Sequence, residues 1–168
     1  LEQKPLFYVE IDYTRMPKAY ASIASYLQIP EIIHLVGTNG KGTTGRFLAQ
    51  MLRAQNLSVG HYTSPHIITF NERIWLNGAP VSDELLEVHH QTLLTWLSVE
   101  MAEALSYFEY TTLRAMAMFS QTCDYVVFEA GLGGEFDATN SFPKILSVIT
   151  PIGYDHQAFL GNSIEEIA

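Results

Sequence analysis

The chain has 168 residues, 48% of them hydrophobic, and nine Lys and Arg against eighteen Asp and Glu give a formal charge of -9. That length suits one hydrophobic core, and the acidic balance leaves no basic stripe, so no nucleic-acid partner is expected. The single Cys123 can form no internal disulfide, and neither a membrane-spanning run nor a secretory leader is present, which predicts a globular protein of the reducing cytoplasm without a membrane partner.

Along the chain, Met16, Tyr20, Ile23 and Leu27 recur at helical steps until Pro30. "IIHLV" (32–36) reads as a buried strand, "GTNGKGTT" (37–44) as the loop after it, and the next segment as a helix with Phe47, Leu48, Met51 and Leu52 on one stripe. A second strand is predicted over 58–63, then a hairpin turn at Asn77-Gly78. Ser82 caps a helix with Asp83, Glu84 and Glu87 near its positive end, running to about Ser106, and a further helix covers 111–122. The Val- and Ile-rich runs 124–130 and 144–150 complete the strands. Apolar strands alternating with amphipathic helices predict an α/β fold with a mostly parallel sheet and helices on both faces. Ligands of such sheets gather at the carboxyl ends of the strands. The loop after Val36, "TSPH" (63–66), "EAGLGGEFDATN" (129–140) and "PIGYDH" (151–156) all fall there.

A glycine-rich turn between a strand and a helix aims backbone N–H groups at an anion, and the helix N-terminus adds its dipole. Gly37, Gly40 and Gly42 allow close approach, Lys41 brings a point charge for the outer phosphates, and Thr43 and Thr44 bring hydroxyls. The match to G-x-x-x-x-G-K-[ST] is incomplete. Leu35 stands at the first Gly, and Gly42 stands where a Ser or Thr normally meets Mg²⁺, so the metal's hydroxyl has to come from elsewhere.

With "GTNGKGTT", "YTSPHI", "FNERIWLNG", "YFEYTTL", "VVFEAGLGGEFDATN", "SVITPIGYDH" and "LGNSIEEIA" in this order, the chain from about Ile32 to Ala168 resembles the folylpolyglutamate synthase and dihydrofolate synthase family of the Mur ligase superfamily. The resemblance implies a P-loop NTPase-like nucleotide-binding domain over residues 1–168, of the type central to Mur ligases. It further implies ATP and Mg²⁺ as cofactors, a folate or pteroate and L-glutamate as substrates, and a monomeric ligase forming ADP through an acyl phosphate. The loop residues Thr38, Asn39, Gly40, Lys41, Gly42, Thr43 and Thr44 would hold the nucleotide. Ser64, Glu129 and His156 would hold metal, and Lys41, Glu129 and His156 would be catalytic. Phe108, Asp137 and Ala138 would line the pterin pocket. Glu135 replaces the Arg usual in the family.

From the residues alone, blander roles stay open. Ser64 before Pro65 can shape a turn, Glu129 can pair with a helix N-terminus, His156 can be a loop histidine, Phe108 a core aromatic and Asp137 a turn-former. A Mur-type cell-wall ligase and a non-catalytic nucleotide-binding module are the alternative functions. His34, His61, His89 and His90 are assigned no ligand role; His89 and His90, adjacent on a helix and facing different directions, form no chelating pair and are expected on the surface. His66 is assigned no chemistry, and Cys123 is expected to be a buried, inert thiol. The chain opens on Leu1 and stops on an acidic, capped segment, which reads as a piece of a longer protein. The family's modified lysine and its C-terminal domain would lie beyond residue 168, and the isolated piece is expected to bind ATP weakly and to lack turnover.

Overall fold

The computed structural model describes Lys4 and residues 12–167. Six strands, β1 (Glu31–Val36), β2 (Val59–Tyr62), β3 (Ile74–Leu76), β4 (Ala79–Pro80), β5 (Tyr125–Glu129) and β6 (Leu146–Ile149), form one sheet in the order β4-β3-β2-β5-β1-β6. β2, β5, β1 and β6 run parallel, while β3 and β4 add an antiparallel edge. The hairpin between β3 and β4 turns on Asn77 and Gly78, both at positive φ, as a two-residue turn compatible with strand twist requires.

The helices are α1 (Arg15–Ile23), α2 (Lys41–Arg53), α3 (Asp83–Trp96), α4 (Val99–Ala104), α5 (Tyr107–Phe119), α6 (Gln157–Leu160) and α7 (Ile164–Ile167). Period-two alternation sorts the strand residues between two cores. Ile33, Leu35, Val59 and Val127 pack with Ala49 of α2 on one face. Ile32, Tyr62, Val126 and Phe128 pack on the other with residues of α1, α3 and α5. No helix among the described residues is long and apolar enough to cross a membrane.

Three expectations need correction. On α2 the inward stripe is Gly45, Leu48, Ala49 and Leu52, whereas Phe47 and Met51 are exposed; the helix approaches the sheet so closely that its small residues, rather than its largest, face inward. The helix expected from 83 to 106 is two, because Leu97 turns extended and the Ser98 hydroxyl caps α4 by accepting from Met101 N–H, the local competition that Ser side chains offer a helix interior. Ser106 then caps α5 in a capping box with Glu109, so this helix begins at Tyr107, four residues before the predicted start. Finally, His89, expected on the surface, is buried, as are His34 and His61. The latter two stand on β1 and β2 inside a sheet covered on both faces, and His89 lies on the inward side of α3. His90, facing elsewhere, pairs through Nδ1 with the Tyr110 hydroxyl at 2.7 Å.

Close packing makes one strand glycine sensitive. A Cβ on Gly60 would lie 2.5–2.9 Å from the Phe119 ring, so Gly60→Ala is expected to destabilise the fold by about 1–3 kcal/mol. Urea unfolding measures this; an unchanged midpoint and slope would mean that the Phe119 ring moves aside without cost.

Candidate active site

The loop between β1 and α2 is shaped by glycine where geometry demands it. Gly40 is the N-cap of α2 at φ 84, with no side-chain cap. Gly37 has φ 125, and a Cβ there would run into Thr150. The loop is pinned to the segment after β6: Thr38 N–H and Asn39 N–H donate to Pro151 O at 3.0 and 3.1 Å, and the Thr38 hydroxyl donates to Gly153 O and accepts from Gly153 N–H. Thr38 and Asn39, expected among the nucleotide contacts, thus direct their N–H groups at the protein. Thr44 N–H closes the first helical bond onto Gly40 O. The opening turn of α2, through Lys41, Gly42 and Thr43, carries the helix-terminal N–H groups that an anion seeks. Lys41 Nζ donates to Gly37 O at 2.7 Å. Lys41, Gly37 and Thr38 line a cleft together with Gly131, Gly133, Asp155 and His156.

Beneath the first turn of α2 lies Glu129, the last residue of β5 and 4% exposed. Burial pushes its carboxyl up from the usual range, opposed by a hydrogen bond from the Thr63 hydroxyl, the charge of Lys41 and Ser64 N–H. A Cβ on Gly42 would lie 3.4 Å from Thr63 Oγ1 and 3.5 Å from Glu129 Oε2. A hydroxyl, that of Thr63, thus stands across the gap from position 42. Of the two neighbouring hydroxyl residues, the side chain that meets Glu129 is that of Thr63, which strand alternation accounts for. His61 faces α2 at Gly45, so Thr63, two residues on, shares that face while Ser64 does not. Ser64 reaches Glu129 through its main chain.

These groups fit a hard divalent cation. Glu129 and Thr63 offer oxygen donors, and no three His, Cys, Asp or Glu side chains among the described residues gather into an all-protein cage. Such a donor set suits an ion like Mg²⁺, which keeps waters and shares its ligands with phosphate. His156 is exposed at φ 49, with Nε2 3.8 Å from Asp155 Oδ2. It lines the Lys41 cleft, whose lining does not include Glu129.

The segment after β5 forms the neighbouring wall. Phe108 presses on the loop so closely that a Cβ on Gly131 would lie 2.6 Å from its ring, and that ring lies 5.9 Å from that of Tyr62. Ala138, next in sequence to Asp137, is buried. Asp137 is itself buried, and its two oxygens hold four donors: Gly131 N–H and Leu132 N–H at 3.0 Å on Oδ2, Thr139 N–H at 2.9 Å and the Thr139 hydroxyl at 2.5 Å on Oδ1. Burial pushes this carboxyl up, while those donors hold it down. Glu135 is exposed, and its main-chain oxygen accepts from the Asn140 side chain. His66 is engaged by Arg73, whose Nε donates to His66 Nδ1 at 2.9 Å. Cys123 is half-buried with its thiol pushed up to about 11 by burial, in keeping with an inert thiol.

No family model matches the chain. A dihydrofolate synthase/folylpolyglutamate synthase of Bacillus subtilis is 46% identical over 144 residues, which are 80% of this chain and 33% of the relative. The crystal structure of Helicobacter pylori folylpolyglutamate synthetase superposes with a TM-score of 0.85 at 47% identity, over 99% of this chain and 41% of that one. The chain is homologous to the folylpolyglutamate and dihydrofolate synthases. E. coli FolC in complex with DHPP and ADP matches at 33% identity and a TM-score of 0.88, over 99% of this chain and 40% of that one. A bifunctional folylpolyglutamate synthase/dihydrofolate synthase with Mn, AMPPNP and L-glutamate bound matches at 34% and 0.84, over 95% and 39%. The chain thus spans about a third of the length of the curated relative and about two fifths of these solved chains.

Proposed function

We propose that the chain is the nucleotide-binding domain, of the type central to Mur ligases, of an ATP-dependent ligase that joins glutamate to a folate or pteroate carboxylate. The observation that carries this reading is the meeting of three strand ends under the first turn of α2: Lys41 after β1, Thr63 and Ser64 after β2, and Glu129 at the end of β5. The Phe108–Gly131 wall stands next to them.

A free carboxylate is a poor acyl donor because oxide is an impossible leaving group. Transfer of the γ-phosphoryl group to a carboxylate oxygen makes an acyl phosphate and ADP, and the amine then attacks the carbonyl and expels phosphate. The protein's task is positioning and charge neutralisation. The opening turn of α2 and Lys41 bind the phosphates. Glu129, with Thr63 or Ser64, holds the divalent ion, which when bound supplies positive charge to the transferring group. His156 serves the same cleft from the segment after β6. Phe108 and Ala138 receive the pterin. Asp137 reaches it through Oδ2, which requires the pterin N–H groups to take over from Gly131 and Leu132, since a carboxylate accepts about four hydrogen bonds.

The test is calorimetric titration of this chain with pteroate and with a non-hydrolysable ATP analogue plus Mg²⁺, followed by ADP release in the presence of pteroate and glutamate. The expected result is pteroate binding, weak nucleotide binding and no turnover by the chain alone, with turnover in a form as long as the relatives. Preference for a uridine nucleotide over pteroate would replace this reading with that of a cell-wall ligase.

A further inference from the structure

We propose that His34 is a positioning residue for the substrate loop, acting through a buried one-way relay from His34 to Thr139 to Asp137. His34 stands on β1, three residues before the phosphate loop begins, and is 2% exposed. Its Nε2 lies 2.8 Å from Thr139 Oγ1, and Thr139, itself 1% exposed, places that hydroxyl 2.5 Å from Asp137 Oδ1. Thr139 stands beyond the glycine loop in sequence, so this contact crosses 105 residues and ties the nucleotide strand to the wall of the neighbouring pocket.

The direction of the relay follows from its far end. Three main-chain N–H groups converge on the Asp137 carboxyl, and a main-chain N–H can only donate, which is the environment of an anion. An ionised Asp137 takes the single hydroxyl proton of Thr139. Thr139 Oγ1 then faces His34 with lone pairs only, so His34 donates from Nε2 and is the neutral Nε2–H tautomer. Removing that donor frees the Thr139 hydroxyl to turn, and Oδ1 loses one of its two holds. The carboxyl plane, which aims Oδ2 at the amides of Gly131 and Leu132, is then set less firmly. Because Gly131 packs against Phe108, the loop's position reaches the pocket wall. The consequence for substrate rests on the pterin reading given above; the relay itself does not.

Nitrogen-15 spectroscopy of the imidazoles at neutral pH is expected to find His34 with its proton on Nε2; a bare Nε2 with the proton on Nδ1 would overturn the proposal, because Thr139 would then donate to His34. In His34→Leu, amide exchange at Gly131 and Leu132 is expected to quicken and pteroate binding to weaken, each on the order of tenfold, with ATP-analogue binding changed by less than about twofold. His34→Gln keeps a donor and is expected to restore most of both. Unchanged exchange in folded His34→Leu, or His34→Gln no better than His34→Leu, would sink the relay. If His34→Leu does not fold, Thr139→Val interrupts the relay at its middle and is judged by the same exchange rates. If the wild-type chain binds no pteroate, the substrate reading fails, while tautomer and exchange still decide the relay.

Discussion

Glu129→Gln is expected to abolish ADP formation, lowering kcat by at least about a hundredfold in a form of the protein as long as its relatives, the scale seen when one electrostatic contact to a transferring group is lost. The substitution preserves shape and leaves an oxygen near Thr63, so it removes charge and little else. Its effect on the fold has the opposite sign. Burial already disfavours the ionised carboxyl of Glu129, with only the Thr63 hydroxyl, Lys41's charge and Ser64 N–H to oppose it. An uncompensated buried charge is costly, and a neutral amide relieves that cost. The variant is therefore expected to unfold at the same temperature as wild type or higher in the absence of metal and nucleotide. Turnover lost with stability kept identifies a functional carboxylate; stability lost with turnover kept would assign Glu129 to the fold alone, as would a non-catalytic nucleotide-binding module.

How far the site was legible depends on which physical rule was being read. Backbone-level features came through directly. The apolar runs gave the β1, β2, β5 and β6 strands, Asn77-Gly78 gave the hairpin, and Ser82 gave a cap that does accept from Leu85 N–H. The glycine loop was found because its chemistry is local. What escaped were facts that exist only after packing. That Phe47 and Met51 face outward follows from the closeness of α2 to the sheet at Gly45, where a Cβ would lie 2.5 Å from His61 Nε2 and 2.8 Å from Leu35. That Thr63 rather than the Ser64 side chain meets Glu129 follows from alternation along β2, a rule available in the sequence but not carried past the strand end. The four donors on Asp137 come from residues 131, 132 and 139 folding back on one carboxyl. Composition marks such a residue as a turn-former without saying that its acceptor capacity is full. Of the buried histidines only His89 departs from expectation, because it lies on the side of α3 that packs inward, which its polarity does not show; His34 and His61 are buried by their strands.

Those histidines give the protein a predictable weakness to acid. His61 is 1% exposed, neither ring nitrogen has a hydrogen-bond partner among the described residues, and burial followed by the charge of Arg46 lowers it to about 3. Burial, and then Lys144, lower His34 to about 4. Both are neutral when folded, whereas an unfolded histidine titrates near about 6.5. Above that pH neither state binds the proton and the stability is fully present. As pH falls below it, the unfolded chain takes up protons that the folded one refuses, so stability declines until the folded value is reached, down to about 4 for His34 and about 3 for His61. Between pH 8 and pH 5 each histidine costs about 2 kcal/mol. Asp137 and Glu129, raised by burial, work the other way, gaining stability as they protonate, so the bare pH profile mixes two signs. The comparison of wild type with His61→Leu isolates one of them, since both proteins share the carboxyls. Urea unfolding at pH 8 and pH 5 is expected to find the variant's advantage larger at pH 5 by about 2 kcal/mol. At pH 8 the variant is expected to be no less stable, because leucine removes two buried nitrogens without a hydrogen-bond partner among the described residues. An equal difference at both pH values would mean that His61 takes up its proton in the folded state as readily as in the unfolded one, and that its burial between β2 and α2 opens to water.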